Sequence, residues 1–139
     1  MTTPPGNQLV RRRSARRTFA ATTLLLEAFV VLFATLAAFG LRVAPTVAVW
    51  AVGGVLSGVL ILASGSLRRP GDYLFGSIVQ GVILAGGLVL LAAPVAAAPF
   101  VGGTALAVGI IFVALWVVAL RLGGRIDREK ADWDAANPG

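Results

Sequence analysis

Long apolar runs alternate with short polar breaks along most of the chain. Each run approaches or exceeds the ~20 residues that an α-helix needs to cross a ~30 Å hydrocarbon layer. The runs are 18–40, 46–66, 73–93 and 101–121. The breaks read "LRVAP", "LRRPGD" and "PVAAAPF", and each contains the proline or charge that ends a helix. This pattern predicts an all-α fold: a polytopic membrane protein built as a bundle of four transmembrane helices.

Polar segments flank the predicted transmembrane domain, which covers 18–122. Residues 1–17 are short, polar, proline-bearing and basic, which predicts a disordered N-terminus. Residues 123–139 form a short charged tail that extends the fourth helix by a turn or two. The stretch "RRTF" at 16–19 resembles the core of a twin-arginine export signal. Its apolar run is long for such a signal and three more spans follow, so we expect it to remain as the first helix.

Composition excludes several classes of protein. The apolar content of 58% and the mean hydropathy of +0.89 are too high for a soluble domain with 13% charged residues. Cys and His are absent, which excludes disulfides, Cys/His metal sites and histidine acid–base chemistry. No phosphate-binding loop, zinc-protease motif or paired carboxylate cluster occurs. We therefore expect no enzyme activity, no cofactor and no metal. The acidic residues of the tail alternate with basic ones, as at a solvated helix end.

The basic residues predict the orientation of the chain. All of the 12 Lys and Arg residues except Arg42 lie at the termini or in the second loop. The positive-inside rule then places both termini in the cytoplasm, with the spans in the plasma (inner) membrane. Because these charges only flank apolar runs, they do not predict a nucleic-acid interface. Trp50, Tyr73 and Trp116 are expected at the membrane interfaces. The topology-determining residues are Arg11, Arg12, Arg13, Arg16, Arg17, Arg68, Arg69, Arg121 and Arg125.

One carboxylic acid, Glu27, lies inside the first span, roughly 13 Å from the cytoplasmic surface. Its helix face contains small residues such as Ala20 and Thr23, whereas the opposite face contains bulky residues such as Leu25 and Phe29. Small faces pack against other helices and bulky faces meet lipid, so Glu27 is predicted to point into the bundle. Inserting the acid costs about 3 kcal/mol, which a partner or a water-filled cavity must offset.

Three other polar residues lie close enough in depth to form a candidate intramembrane polar cluster with Glu27. Gln80 is the only amide in any span, at a depth of roughly 10 Å on the third helix. Ser57 on the second helix and Thr23 on the first have comparable depths. A neutral Glu27 that donates to Gln80 is one hypothesis for this cluster. The acid then fixes helix register as a structural group, or it exchanges ions, and both alternatives stay open.

Small residues at i, i+4 spacing let helix backbones approach closely. Pairs of this kind include Gly54 with Gly58 and Gly53 with Ser57 on the second helix. We interpret the pattern as tight packing within one bundle. Homodimerisation through the same small residues is the alternative. The predicted helix-packing residues are Gly53, Gly54, Gly58, Gly81 and Gly109.

The stretch "RRSARRTFAATTLLLEAFVVLFATLAAFGL", followed by three Gly/Ala/Val-rich spans, resembles a family of small actinobacterial membrane proteins, the domain of unknown function 4233. The resemblance covers residues 12–123 and is most specific in the first helix and Glu27. It implies a four-helix membrane fold without an established activity. The bias of the basic residues towards Arg also suggests a bacterial source.

Two functional classes remain open. The first is a non-catalytic accessory, scaffold or regulatory membrane component, with the bilayer and a second copy or a larger complex as partners. The alternative is a small proton- or cation-coupled transporter that uses Glu27. In outline it is similar to the small multidrug-resistance antiporters, which have a carboxylate in the first of four helices. The chain lacks their aromatic binding-site pattern, and its strong charge bias fixes one orientation.

Overall fold

Four α-helices account for nearly all of the chain that the structure describes. The structure is a computed structural model, and the described residues are 14–42, 44–67, 70–92, 94 and 96–138. The helices are α1 (Ala15–Gly40), α2 (Thr46–Ser66), α3 (Pro70–Leu91) and α4 (Ala98–Ala136). All four are long and apolar enough to cross a membrane, and no strand occurs in the described ranges. The predicted all-α, four-span fold is confirmed.

The helix bounds differ from the prediction mainly at the two ends of the chain. Helix α1 begins at Ala15 because the Ser14 side chain accepts a hydrogen bond from the Arg17 N–H and acts as its N-cap. Arg16 and Arg17 are therefore helical, although the sequence pattern assigned them to a disordered segment. Helix α4 continues about four turns past the predicted end of its span. Arg11, Arg12, Arg13, Arg68 and Arg69 lie outside the described residues.

The helices follow one another around the bundle in the order of the chain, but neighbouring helices do not all pack equally closely. Helix α1 packs against both α2 and α4, and α3 packs against α4, whereas α2 and α3 contact each other only sparingly. The order around the bundle is thus α1–α2–α3–α4, with α1 and α3 on a diagonal. We call the end of the bundle where α1 and α3 begin the terminal face. The segment 122–136 of α4 projects beyond that face.

The apolar core lies in the half of the bundle next to the terminal face. Small side chains of α1 and α2 allow these helices to pack closely, and larger side chains fill the space towards α3 and α4. The core residues are Ala20, Leu24, Ala28, Leu60, Ala63, Leu67, Val79 and Trp116. Leu25 and Phe29 are exposed on the outer face of α1, as predicted. Bulky apolar residues exposed in this way form the surface that hydrocarbon would cover.

Two of the five predicted packing glycines contact another helix. A Cβ added at Gly53 would overlap the side chain of Thr35 on α1, so α1 and α2 could not approach as closely. A Cβ at Gly109 would lie 3.0 Å from Leu84 on α3. Gly102 and Gly123 were not among the predicted packing residues. Each lies so close to the backbone of a neighbouring helix that an added Cβ would overlap it. Close backbone approach therefore occurs at the α1–α2, α3–α4 and α1–α4 interfaces.

The other three glycines do not pack against another helix of the chain, contrary to the prediction. A Cβ at Gly58 or Gly81 would meet nothing within 4 Å, and one at Gly54 would meet only Trp50 of its own helix. The physical reason is helix rotation. Helix α2 turns Gly53 and Ser57 towards α1, and the next residue along a helix points about 100° away.

Candidate functional site

Glu27 and Gln80 meet in the centre of the bundle. The Nε2 of Gln80 donates a hydrogen bond to the Oε2 of Glu27, and the two residues are only 3% and 2% exposed. Because α1 and α3 are diagonal, this bond joins two helices that do not pack directly against each other. Two long polar side chains span the gap that backbone contacts leave open.

The Glu27–Gln80 pair leaves polar atoms without a partner. The second carboxyl oxygen of Glu27, Oε1, and the amide oxygen of Gln80, Oε1, are buried and form no hydrogen bond with any described residue. Both atoms are acceptors unless a proton is added. In a low-dielectric interior such groups cost free energy until a donor reaches them. With this single hydrogen bond, the two free oxygens of the pair still need at least one proton or donor.

Thr23 and Ser57 are buried near the pair but are not hydrogen-bonded to it. The hydroxyl of Thr23 donates to the backbone oxygen of Phe19 at 2.9 Å. Ser57 is 4% exposed, and its Oγ has no partner among the described residues. The contact between Gly53 and Thr35 sets the register of α1 against α2, and it puts Ser57 about one turn, roughly 6 Å, from the level of Glu27. The four predicted residues are thus all buried, but only Glu27 and Gln80 are joined.

Trp116, predicted near the inner membrane interface, lies inside the bundle with its ring packed between helices. It is 3% exposed, and its Nε1 donates to the hydroxyl of Ser77 at 3.1 Å. A Cβ at Gly76 would clash with the indole ring, so this glycine of α3 provides the space for it. The tryptophan therefore acts as a core residue whose single polar atom is satisfied by α3.

A second group of polar residues gathers at the terminal face, where Asp127 of α4 caps the N-terminus of α1. The carboxylate accepts hydrogen bonds from the hydroxyl of Ser14, from the Ala15 N–H at 2.7 Å and from the Arg16 N–H at 3.2 Å. The first N–H groups of a helix have no intrahelical acceptor and present a partial positive charge. Asp127 thus supplies acceptors and negative charge to a helix that lies more than a hundred residues earlier in the chain.

The environment of Asp127 lowers its pKa. Partial desolvation raises the pKa of this carboxyl, but the hydrogen bonds from Ser14, Ala15 and Arg16, together with the charge of Lys130, lower it by more. The net pKa lies below the ordinary value of an aspartic acid. The sequence pattern predicted a solvated charge here, and the structure corrects that prediction: the carboxylate is held in an interhelical contact.

Arg16 forms a second bridge between α1 and α3. Its guanidinium carbon lies 4.3 Å from the ring centroid of Tyr73, which is cation–π geometry. Its backbone lies against Gly123 of α4, where a Cβ would overlap it. Arg125, also predicted to determine topology, pairs with Glu129 at 2.8 Å on the exposed surface of α4, and Arg121 is exposed. Among the described residues, no group of acidic side chains is arranged to hold a metal ion.

The Asp127 contact has little signal in the sequence. The serine before an apolar run is an N-cap signal, which points to Ser14 as the start of α1. No pattern along the chain links that serine to Asp127, because the contact depends on how far α4 extends beyond the spans and on the angle at which it crosses α1.

Comparison with known protein families assigns the chain to a family. The family model described as "Protein of unknown function (DUF4233)" matches residues 17–132, so the chain belongs to that family. The resemblance noted from the first helix is therefore confirmed. No curated protein and no solved structure gives a match. The chain is a multi-pass membrane protein of a family whose activity is not defined.

Proposed function

We propose that the protein is a non-catalytic accessory, scaffold or regulatory component of a membrane complex, with both termini in the cytoplasm and four spans in the plasma membrane. The distribution of the basic residues supports this orientation. Within the described spans, two side-chain hydrogen bonds join different helices, Gln80 to Glu27 and Trp116 to Ser77, while the other hydroxyl groups that donate do so to the backbone of their own helix. Among the residues that the structure describes, the α4 segment 122–136 is the longest stretch beyond the predicted spans.

That segment has one feature typical of a protein interface. Trp133 is 61% exposed on a segment in which half of the other residues are charged. Aromatic side chains of this kind are enriched among residues that anchor protein–protein contacts. The segment 122–136 is therefore the surface on which we expect a cytoplasmic partner to bind.

Affinity purification from native membranes in mild detergent tests this function. The wild-type protein should retain a partner in a fixed ratio, and Trp133→Ala should lose it while its melting temperature stays unchanged. Trp50→Ala, an equally large truncation at the opposite end of the bundle, is the matched control and should keep the partner. A protein that purifies alone, or a partner that survives Trp133→Ala, would contradict the proposal.

In this proposal Glu27 is a neutral structural group. A proton on its Oε1 would make that atom a donor to the free Oε1 of Gln80, and a carboxylic acid and an amide would then form two hydrogen bonds in a closed ring. Both buried oxygens would be satisfied, and no charge would remain in the hydrocarbon. The Glu27–Gln80 hydrogen bond is the observation on which this role depends.

Proton- or cation-coupled transport is the second candidate, because three buried oxygens lack partners: those of Glu27, Gln80 and Ser57. One substitution separates the candidates. Glu27→Gln keeps the size and hydrogen-bonding capacity of the side chain but cannot release a proton. A deletion strain complemented with Glu27→Gln should grow normally if the role is structural. A well-folded, normally abundant but inactive Glu27→Gln protein would instead establish ion coupling.

A further inference from the structure

A polar groove lies between α1 and α2 at the terminal face. Its volume is about 380 Å³. Its wall on α1 is formed by Arg17, Thr18, Ala21 and Thr22, and its wall on α2 by Ser64 and Gly65. One guanidinium and three hydroxyl groups thus converge on a space a few residues from the end of each apolar span. Their depth matches the headgroup layer of a bilayer.

Arg17 is available for a ligand, whereas its neighbour Arg16 is not. Arg16 lies over the ring of Tyr73, on the side of α1 that faces the bundle. Arg17 is exposed and faces the groove; among the described residues its side chain forms no ion pair and no hydrogen bond. A guanidinium binds the oxygens of a phosphate with two parallel hydrogen bonds.

The hydroxyl groups can turn towards a ligand without leaving a backbone group unsatisfied. Thr18 donates its hydroxyl proton to the backbone oxygen of Ser14, which already accepts from the Thr18 N–H. Ser64 donates to the backbone oxygen of Ile61, a helical carbonyl, in the same way. Thr22 is exposed and forms no hydrogen bond through its side chain within the described chain. All three hydroxyls can therefore donate to an anionic oxygen.

The groove continues into apolar surface in the direction of the membrane centre. Leu25 on α1 and Ile61 on α2 are exposed, at 40% and 49%, one turn further from the terminal face than Ala21 and Gly65. A free phosphate ion would use only the polar end. A phospholipid would use both parts, with its phosphate on Arg17 and an acyl chain along the apolar residues.

We propose that this groove binds the phosphate of an anionic phospholipid, with Arg17, Thr18, Thr22 and Ser64 as its ligands. Basic pockets between transmembrane helices at the headgroup level have the chemistry that such lipids require. The site is separate from the Glu27–Gln80 pair and independent of the function proposed above.

Native mass spectrometry of the full-length protein in detergent, titrated with phosphatidylglycerol, tests the site with two independent variants. Arg17→Gln removes the charge. Gly65→Leu fills the groove without altering the charge, and it is tolerated by the fold because a Cβ there meets nothing within 4 Å. Each variant should weaken the tightest lipid-binding step by about tenfold or more. Arg17→Gln loses a charge-assisted hydrogen bond, and Gly65→Leu occupies the space that the lipid needs.

Matched controls separate this site from general effects. Arg125→Gln neutralises another exposed arginine at the same end of the bundle and is the control for Arg17→Gln. Gly58→Leu adds a leucine to α2 at another open position and is the control for Gly65→Leu. Both should bind phosphatidylglycerol like the wild type. Melting temperatures without added lipid show whether all four variants are folded.

The outcomes decide between lipid, free anion and no site. Phosphatidylcholine should bind more weakly than phosphatidylglycerol, and millimolar inorganic phosphate should not displace the bound lipid. Equal binding by all four variants, or equal binding of the two lipids, would overturn the proposal. Displacement by inorganic phosphate would assign the groove to a free anion and overturn the lipid assignment.

Discussion

At the scale of single residues, the Glu27–Gln80 bond shows how a polar contact can form where helices are too far apart to pack. A shorter acid or amide would not reach across the diagonal between α1 and α3. Both partners are buried, so removing one of them would leave the other without a hydrogen bond in an apolar interior. That penalty is larger than the net stabilisation that the hydrogen bond provides. The two side chains should therefore depend on each other more strongly than either contributes alone.

A double-mutant cycle measures this dependence. Glu27→Leu and Gln80→Leu should each lower the free energy of unfolding in detergent by about 1–2 kcal/mol, because each leaves a buried polar group without its partner. The double variant should lose less than the sum of the two, since no unpaired group remains. Leu25→Ala, on the exposed face of α1, is the control and should have a smaller effect. Additive losses in the cycle would show that the two residues act separately.

At the scale of helices, positions where backbones approach closely define the interfaces better than glycine spacing does. The Gly54-x-x-x-Gly58 motif is the most conspicuous in the sequence, yet neither residue meets a neighbouring helix. The adjacent position, Gly53, lies directly against Thr35. Spacing identifies a helix face on which approach is feasible, but the rotation of the helix within the bundle determines which face is used.

The glycines of α2 provide a matched pair of substitutions. Gly53→Leu should separate α1 from α2 and lower the melting temperature strongly, because its Cβ would overlap Thr35. Gly58→Leu should leave the melting temperature of the isolated protein nearly unchanged, since the new side chain points into open space. Thermal melting of the purified proteins in the same detergent compares them. A greater loss for Gly58→Leu would show that a second copy or another protein covers that face.

The cap that α4 provides for α1 gives a further test at this scale. Asp127→Ala should lower the free energy of unfolding by about 1 kcal/mol, the usual cost of a lost N-cap. Asp127→Asn keeps an acceptor but not the charge, so its loss should be smaller. Asp132→Ala removes an exposed acid from the same helix and should have little effect. Equal stability of Asp127→Ala and Asp132→Ala would contradict the capping role.

The same contact predicts a pH dependence. The pKa of Asp127 is lower in the folded protein than its ordinary value, so the unfolded chain binds its proton first as the pH falls. The stabilisation by Asp127 should be complete above about pH 4, near the ordinary pKa of aspartic acid, and be lost as the pH falls through the lower folded pKa. Melting curves between neutral and acidic pH should show this loss in the wild type and not in Asp127→Ala. Parallel curves would exclude the contact.

At the scale of the whole molecule, hydropathy and charge patterns predicted the number of helices and, for α2, both ends. They succeeded because a bilayer requires each span to be long, apolar and internally hydrogen-bonded. They also matched Glu27 with Gln80, because depth along a span can be counted from the sequence. They did not predict Trp116 in the core or the contact of Asp127 with α1. Both depend on helix rotation and on how closely each pair of helices packs, which no one-dimensional pattern contains.

The proposed orientation of the bundle is based on the distribution of charge, and reporter fusions measure it directly. Reporter fusions after Asp72 and after Gly139 should be active in the cytoplasm, and a fusion between Pro94 and Pro99 should be active outside. Replacing Arg16 and Arg17 together with Gln should weaken this bias without reversing it, because three more arginines precede them. A cytoplasmic reporter signal from the 94–99 segment would contradict the proposed topology.

The distance along the chain between Ser14 and Asp127 also sets an order in time during synthesis. At typical rates of about 5–20 residues per second, the ribosome makes Asp127 on the order of ten seconds after the first turn of α1. Helix α1 must therefore enter the membrane before its Ala15 and Arg16 N–H groups have the acceptor that Asp127 provides, with Ser14 as its local cap. The carboxylate reaches them only when α4 has been completed and has packed beside Arg16. A chain that ends before Asp127 would lack this acceptor, so we expect the first turn of α1 to fray even where its spans have inserted.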